Sequence, residues 1–503
     1  MSNKTHSKPQ GSYGPNSKLD TQRSYINGNY VSNQSGDTFS TCYPGSGEKI
    51  CDVEIAGQAE IDAAVAAAKQ AFETWSQMPA AERGNILRRA GQILRERNQE
   101  LAELETLDTG KAIAETNCVD VISGVEVLEY YAGVAQTLHG QHIDLPPNAF
   151  AMLRREPIGV CAGIGAWNYP IQIAMWKSAP ALACGNTMVF KPAEQTPLTA
   201  LKLAEIYSEA GLPDGVFNVV QGARDTGSAL ISHKDVSKVT LTGSVETGKI
   251  VMAHSAKDLK KVTLELGGKS PVIVFDDAKI DNAINGILAA NFYSTGQVCS
   301  NGTRVFVHQN IYQELISKLA ERAKGIKIGD PFDPSTDMGP LVSAEHYEKV
   351  KAYMEIAKNS EARHVCGGDV PDAPELKGGF YITPAIFADC TDDMAFVEEE
   401  VFGPLLSILP FTDEDDVLRR ANDTDFGLSG AVFTQDFSRA HRVANKIQAG
   451  IVWINEYNVT PAEIPFGGYK QSGIGRENGL QAIEYYTQLK TIYANLGDIP
   501  QLY

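Results

Sequence analysis

Between residues 61 and 75 the apolar positions Ile61, Val65, Ala68, Phe72 and Trp75 recur at steps of four and three, which predicts an amphipathic helix. Past Pro79, the residues Leu87, Ala90, Leu94, Leu101 and Leu104 share one face opposite Arg and Glu, predicting a second helix. It should end near Asp108-Thr109-Gly110, where the glycine can take a left-handed cap. From residue 157 the period changes to short apolar runs at 158–164, 187–190, 216–220, 239–241 and 262–265, with helical stretches between them at 198–211 and from Glu246. Strands alternating with helices at this spacing predict a parallel, doubly wound sheet covered on both faces. A second series runs from 272–275 to 452–454, with helices at 279–294 and 311–325 and a strand at 304–307. The fold class is α/β, with two doubly wound domains and a cleft between them. Residues 485–494 alternate polar and apolar and read as a strand without a nearby partner, suited to pairing across subunits.

Composition narrows the function classes. The 503 residues fit two to four domains at roughly 100–200 residues each. Forty-four Lys and Arg against 62 Asp and Glu give a net charge of −18, so neither nucleic acid nor anionic membrane is an expected partner. No apolar run approaches the ~18 residues of a membrane helix. The polar first 20 residues read as a loose tail without a secretory signal, which predicts a cytoplasmic protein. The eight cysteines form no C-x-x-C, and no H-E-x-x-H occurs, so neither a disulfide scaffold nor a structural metal is expected.

Two kinds of loop carry candidate chemistry. Gly243-Ser-Val-Glu-Thr-Gly248-Lys249 lies between a strand and a helix, where backbone N–H groups can face an anion. NTP hydrolysis remains a weak alternative, because Ile250 stands where a magnesium-binding Ser or Thr belongs. The stretch Thr295-Gly-Gln-Val-Cys299-Ser300 places a cysteine in a glycine-containing loop after a predicted helix, where a thiol is reachable. On spacing alone, each is as readily an ordinary turn or a packed thiol.

The motifs do not stand alone. Trp167-Asn-Tyr-Pro170, Lys191-Pro-Ala-Glu194, Leu264-Glu-Leu-Gly-Gly-Lys-Ser270, Gly296-Gln-Val-Cys299 and Glu400-Val-Phe-Gly-Pro404 occur in that order, and over roughly residues 24–497 the chain resembles the aldehyde dehydrogenases. Within that family it is most similar to the bacterial branch acting on betaine aldehyde, through Leu104–Lys111, Trp176–Ala183, Cys299–Arg304 and Gly467–Asn478. Enzymes for 4-trimethylaminobutyraldehyde and other ω-aminoaldehydes share much of this. The resemblance implies a flexible tail at 1–23, a Rossmann-like NAD-binding domain at 24–143 and 159–270, a catalytic domain at 271–482, and an oligomerisation arm at 144–158 and 483–503. It also implies a homo-oligomer, dimer or tetramer.

The resemblance assigns roles residue by residue. Cys299 is the nucleophile that makes the aldehyde tetrahedral, Asn168 an oxyanion donor, Glu265 the base for thioester hydrolysis, and Lys177 with Glu477 a proton relay. Gly165, Ala166 and Trp167, then Lys191, Pro192, Ala193 and Glu194, then Gly243, Ser244, Val245, Glu246 and Thr247, with Gly267, Glu400 and Phe402, hold the cofactor. Glu194 should favour NAD over NADP by accepting from both ribose hydroxyls, while Lys191 leaves room for some NADP use. Tyr169, Trp176, Tyr457 and Phe466 form an aromatic box for a quaternary ammonium or amine head, with Glu463 nearby. Phe466 stands where many betaine aldehyde enzymes have Trp. Potassium is implied at Asp108 with the carbonyls of Thr41 and Cys42, and at the carbonyls of Lys470 and Gly473. A non-catalytic protein of the same fold is disfavoured because Cys299, Glu265 and Asn168 are retained together.

Overall fold

The structure is a computed structural model that describes residues 12–503. Its first sheet runs in the order Gly473–Ile474, Lys261–Glu265, Val236–Thr242, Val160–Ile164, Thr187–Lys191, Phe217–Val219, Ser24–Ile26, Asn29–Val31. The five strands from Lys261–Glu265 to Phe217–Val219 are parallel, and antiparallel strands flank them. These strands are apolar on both faces because helices cover both: Cys161, Met188 and Phe190 face one core, Val160, Ala162 and Val189 the other. The second sheet has seven strands, Arg363–Cys366, Ala385–Ala388, Leu405–Phe411, Arg304–His308, Pro271–Val274, Ser429–Phe433 and Ile451–Ile454. It is sandwiched in the same way, with Val272, Val274, Val305 and Val307 to one side and Ile273 and Phe306 to the other.

Four expectations change. Residues 1–11 of the predicted tail lie outside the described residues, but 12–23 pack down: Tyr13 is buried and takes Glu103 with its N–H, and Leu19 and Gln22 bond to the backbone of Ile50 and Asp52. The helix predicted after Pro79 is two helices, Ala80–Glu96 and Asn98–Thr109, parted where Arg97 leaves helical geometry at φ −102° and ψ 14°. Gly110 caps the second at φ 75°. The C-terminal strand, Thr487–Asn495, has a partner within the chain and pairs antiparallel with Ala149–Pro157 along its full length. Gln141–Leu145 completes this three-stranded arm, three residues ahead of the expected start at 144. Finally, Gly473–Ile474 joins the first sheet although it falls within 271–482; its ladder to Leu264 and Glu265 holds the preceding residue Ser472 at the end of that strand, where its carbonyl accepts from Leu266 N.

Candidate active site

Strand Val160–Ile164 has Thr187–Lys191 on one side and Val236–Thr242 on the other, so the chain leaves it in opposite directions and opens a crevice at the carboxyl ends of the strands. A cleft of about 690 Å³ lies there. Gly165, Ala166, Trp167, Lys191, Ala193 and Glu194 line it, together with Gly243, Ser244, Glu246, Thr247 and Gly267, and Glu400 and Phe402. Pro192 and Val245 do not. The Pro192 carbonyl turns aside to accept from Lys191 Nζ at 2.9 Å, and Val245, apolar, packs against the core beneath its helix.

The cleft suits a dinucleotide on its own chemistry. Ser244 caps helix Val245–Ala256 by accepting from Thr247 N at 3.2 Å, so free N–H groups of a twelve-residue helix open onto the cleft. Lys191 is buried, which lowers its pKa, and it lies 3.6 Å from the half-exposed Glu194. Gly268 N donates to Glu400 at 2.9 Å, and a Cβ at Gly267 would sit 2.2 Å from the other Glu400 oxygen, so only glycine lets this carboxylate in. Phe402 holds a left-handed φ of 59°. His346, which the sequence did not single out, donates to the Phe402 carbonyl at 2.7 Å and leans on Trp167 at 5.0 Å. Burial pushes His346 down to about 4, so it is a neutral donor near pH 7.

Cys299, Glu265 and Asn168 meet at the same cleft. Burial pushes the Cys299 thiol up to about 12, with Glu265 and Glu400 adding to the effect. Glu265 closes its strand at 4% exposure, and neither carboxyl oxygen has a hydrogen-bond partner. Burial raises its pKa well above the ordinary range; Glu477 adds to this, and Lys177 and Arg476 oppose it. Asn168 spends one amide N–H on the Gln297 carbonyl at 2.9 Å, in the loop that carries Cys299. The second N–H remains for another acceptor. Lys177 and Glu477 form a fully buried pair at 2.6 Å, and Thr240 Oγ1 touches both at 3.2 Å.

The aromatic residues divide. Trp176 meets Phe466 edge to face at 5.6 Å and stays half-buried. Tyr169 bonds Ser294 through its hydroxyl at 2.7 Å, and one face of its ring already carries Lys111 Nζ at 3.4 Å. Tyr457 belongs to the core instead of a box: it is 3% exposed, stacks on Trp453 at 4.7 Å, and donates to the Ser300 carbonyl at 2.6 Å. Glu463 is exposed. Among the potassium candidates, Asp108 and Thr41 are buried; Asp108 accepts from Leu198 N at 2.9 Å, and burial raises its pKa while Leu198 and the Thr41 hydroxyl oppose the rise. At the other position, Lys470 Nζ reaches the Asn422 and Thr424 carbonyls at 2.7 and 3.0 Å, and Gly473 pairs with Glu265 in the first sheet.

Comparisons with known proteins agree with this geometry. Residues 30–492 match the model of the aldehyde dehydrogenase family. A betaine aldehyde dehydrogenase of Brucella ovis is 54% identical over 479 residues, covering 95% of this chain and 98% of that protein. Among solved structures, betaine aldehyde dehydrogenase of Staphylococcus aureus in complex with NAD+ superposes with a TM-score of 0.93 at 41% identity, covering 96% of each chain. An aldehyde dehydrogenase of Bacillus cereus in its NAD+ complex gives 0.92 at 43% identity, covering 95% of this chain and 97% of that one.

Proposed function

This chain belongs to the aldehyde dehydrogenase family, and on that premise we propose that it oxidises betaine aldehyde to glycine betaine with NAD. The observation that carries the reading is the meeting of Cys299, Glu265 and Asn168 at one end of a cleft built for a dinucleotide. Cys299 Sγ adds to the aldehyde carbon as its thiol proton, retained at neutral pH by burial, passes out to solvent, and the resulting oxyanion takes the free N–H of Asn168; one such donor is worth about 3–4 kcal/mol of barrier. NAD, held by Lys191, Glu194, the Ser244 helix start, Glu400 and Phe402, supplies the hydride acceptor when bound. Glu265 then takes a proton from the water that hydrolyses the Cys299 thioester, and its raised pKa brings it toward the range where a general base works best. The Glu477–Lys177 pair lies next in line for that proton.

Trp176 and the open face of Tyr169 supply the aromatic surface for a trimethylammonium head, at ~0.5–2 kcal/mol per face. Phe466, edge-on to Trp176, favours a second reading in which longer trimethylammonium or amine aldehydes also fit. A potassium ion would be held by the buried Asp108 carboxylate and the carbonyls of Thr41 and Cys42 beside it. All eight cysteines are free thiols, the state a reducing cytoplasm maintains. The arm presents exposed Leu489, Tyr493, Ile143 and Leu145 on one sheet face, apolar surface that a second copy of the chain would cover. Absorbance at 340 nm with NAD and betaine aldehyde tests the reading. Wild type should form NADH, and Cys299→Ala should form none while still binding NAD; residual turnover within tenfold of wild type would remove Cys299 from the chemistry.

A further inference from the structure

The loop that delivers Cys299 is strained. Ser294 and Thr295 hold left-handed φ values of 50° and 58°, followed by Gly296 at 72°. Left-handed backbone costs about 1–3 kcal/mol at a residue other than glycine, and a β-branched threonine is among the least tolerant. Such a conformation persists only where its surroundings impose it. A buried ion cluster in direct contact with Ser294 does so here.

At its centre is Lys111, 4% exposed. Its ammonium donates to Asp120 at 2.6 Å, lies 3.0 Å from Glu115, and reaches the Asn168 carbonyl at 3.3 Å. A π-helical turn at Thr116–Asp120, a widening of the helix seen often at functional sites, brings Asp120 back toward Lys111. Burial alone would lower the Lys111 pKa, but Asp120 and Glu115 outweigh it and keep the group charged. Glu115 in turn accepts a hydrogen bond from the Ser294 hydroxyl. From Ser294 the connection returns: Gln297 Nε2 donates to the Ser294 carbonyl at 3.2 Å, and Asn168 Nδ2 donates to the Gln297 carbonyl at 2.9 Å. Lys111, Glu115, Ser294, Gln297 and Asn168 thus close a ring of polar contacts around the strained turn.

We propose that Lys111, Glu115 and Ser294 are positioning residues for the reaction: the ring locks the Cys299 loop and the Asn168 amide into one geometry, so that nucleophile and oxyanion donor are set relative to each other before substrate arrives. This rests on the roles given above to Cys299 and Asn168. None of the three touches the reacting atoms. Their effect passes through Asn168, through Tyr169, which bonds Ser294 and carries Lys111 on one ring face, and through the backbone of residues 294–297.

Ser294→Ala is the cleanest probe, because it cuts the ring and alters none of the buried charges. In rapid mixing with NAD and betaine aldehyde, it should slow the first turnover of NADH at least tenfold, with the dissociation constant of NAD within twofold of wild type. Amide hydrogen exchange, read without substrate, should speed up at residues 293–299 and stay unchanged in strands Val160–Ile164 and Val236–Thr242. Lys111→Met should do the same, and Lys111→Arg, which keeps the cation, should recover most of the rate. Wild-type exchange at 293–299 in Ser294→Ala would overturn the proposal, and so would a rise of equal size throughout the chain. A wild-type enzyme that forms no NADH from any aldehyde would instead sink the functional reading, while the exchange measurement would still decide whether the ring holds the loop.

Discussion

Glu265 combines two properties that are rarely compatible in a stable interior: it is a carboxyl group, and neither oxygen is hydrogen-bonded. Its folded pKa lies above the ordinary value of 4.5, so the folded chain keeps a proton that the unfolded chain sheds. The resulting penalty on stability is absent below about pH 4.5 and grows as the pH rises from there toward the raised folded pKa. Glu265→Gln mimics the protonated form and should raise the melting temperature at pH 8 while leaving it unchanged at pH 4. The same variant should give a burst of NADH followed by turnover about 100-fold slower, because only hydrolysis of the thioester needs the base. A loss without a burst, or an equal thermal shift at both pH values, would contradict this account. That Cys299, Glu265 and Asn168 come together at one cleft was legible from the ordered motifs around them. Tyr457 was misread, since a loop aromatic near the site looks the same in sequence whether its ring faces substrate or, as here, Trp453.

At the level of elements, periodicity located the helices and the parallel strands well and misjudged their joins. One apolar stripe ran through Leu94 and Leu101, and nothing in it marked the break at Arg97, whose backbone is set by how the two helices pack. The terminal strand at 485–494 was recognisable by alternation, but its partner lies more than 300 residues earlier at Ala149–Pro157, and pairing at that distance leaves no local trace. Its registration puts Leu489 and Tyr493 on the same face as Ile143, all three exposed in the single chain. If this face is where copies of the chain meet, Leu489→Glu combined with Tyr493→Glu should shift the solution mass measured by light scattering to a smaller species, with the circular dichroism of the fold retained. An unchanged mass would place the contact elsewhere.

For the whole molecule, the division into two wound sheets and the crevice at their edge followed from alternation of short apolar runs with helices, since parallel strands must be covered on both faces. What the sequence could not order was the interior wiring between distant segments. Lys111 stood inside a quoted motif without a role, and His346 carried no signal, because each acts through contacts made 50 or more residues away. The central claim is that the site selects an aldehyde with a quaternary ammonium head. The most direct test is the ratio of kcat/KM for betaine aldehyde to that for 3,3-dimethylbutanal, its uncharged isostere, which has the same shape with carbon in place of nitrogen. Two aromatic faces at ~0.5–2 kcal/mol each predict a ratio of about 5 to several hundred in favour of betaine aldehyde. A ratio of one or below would show that the aromatic residues read shape alone and would contradict the assignment.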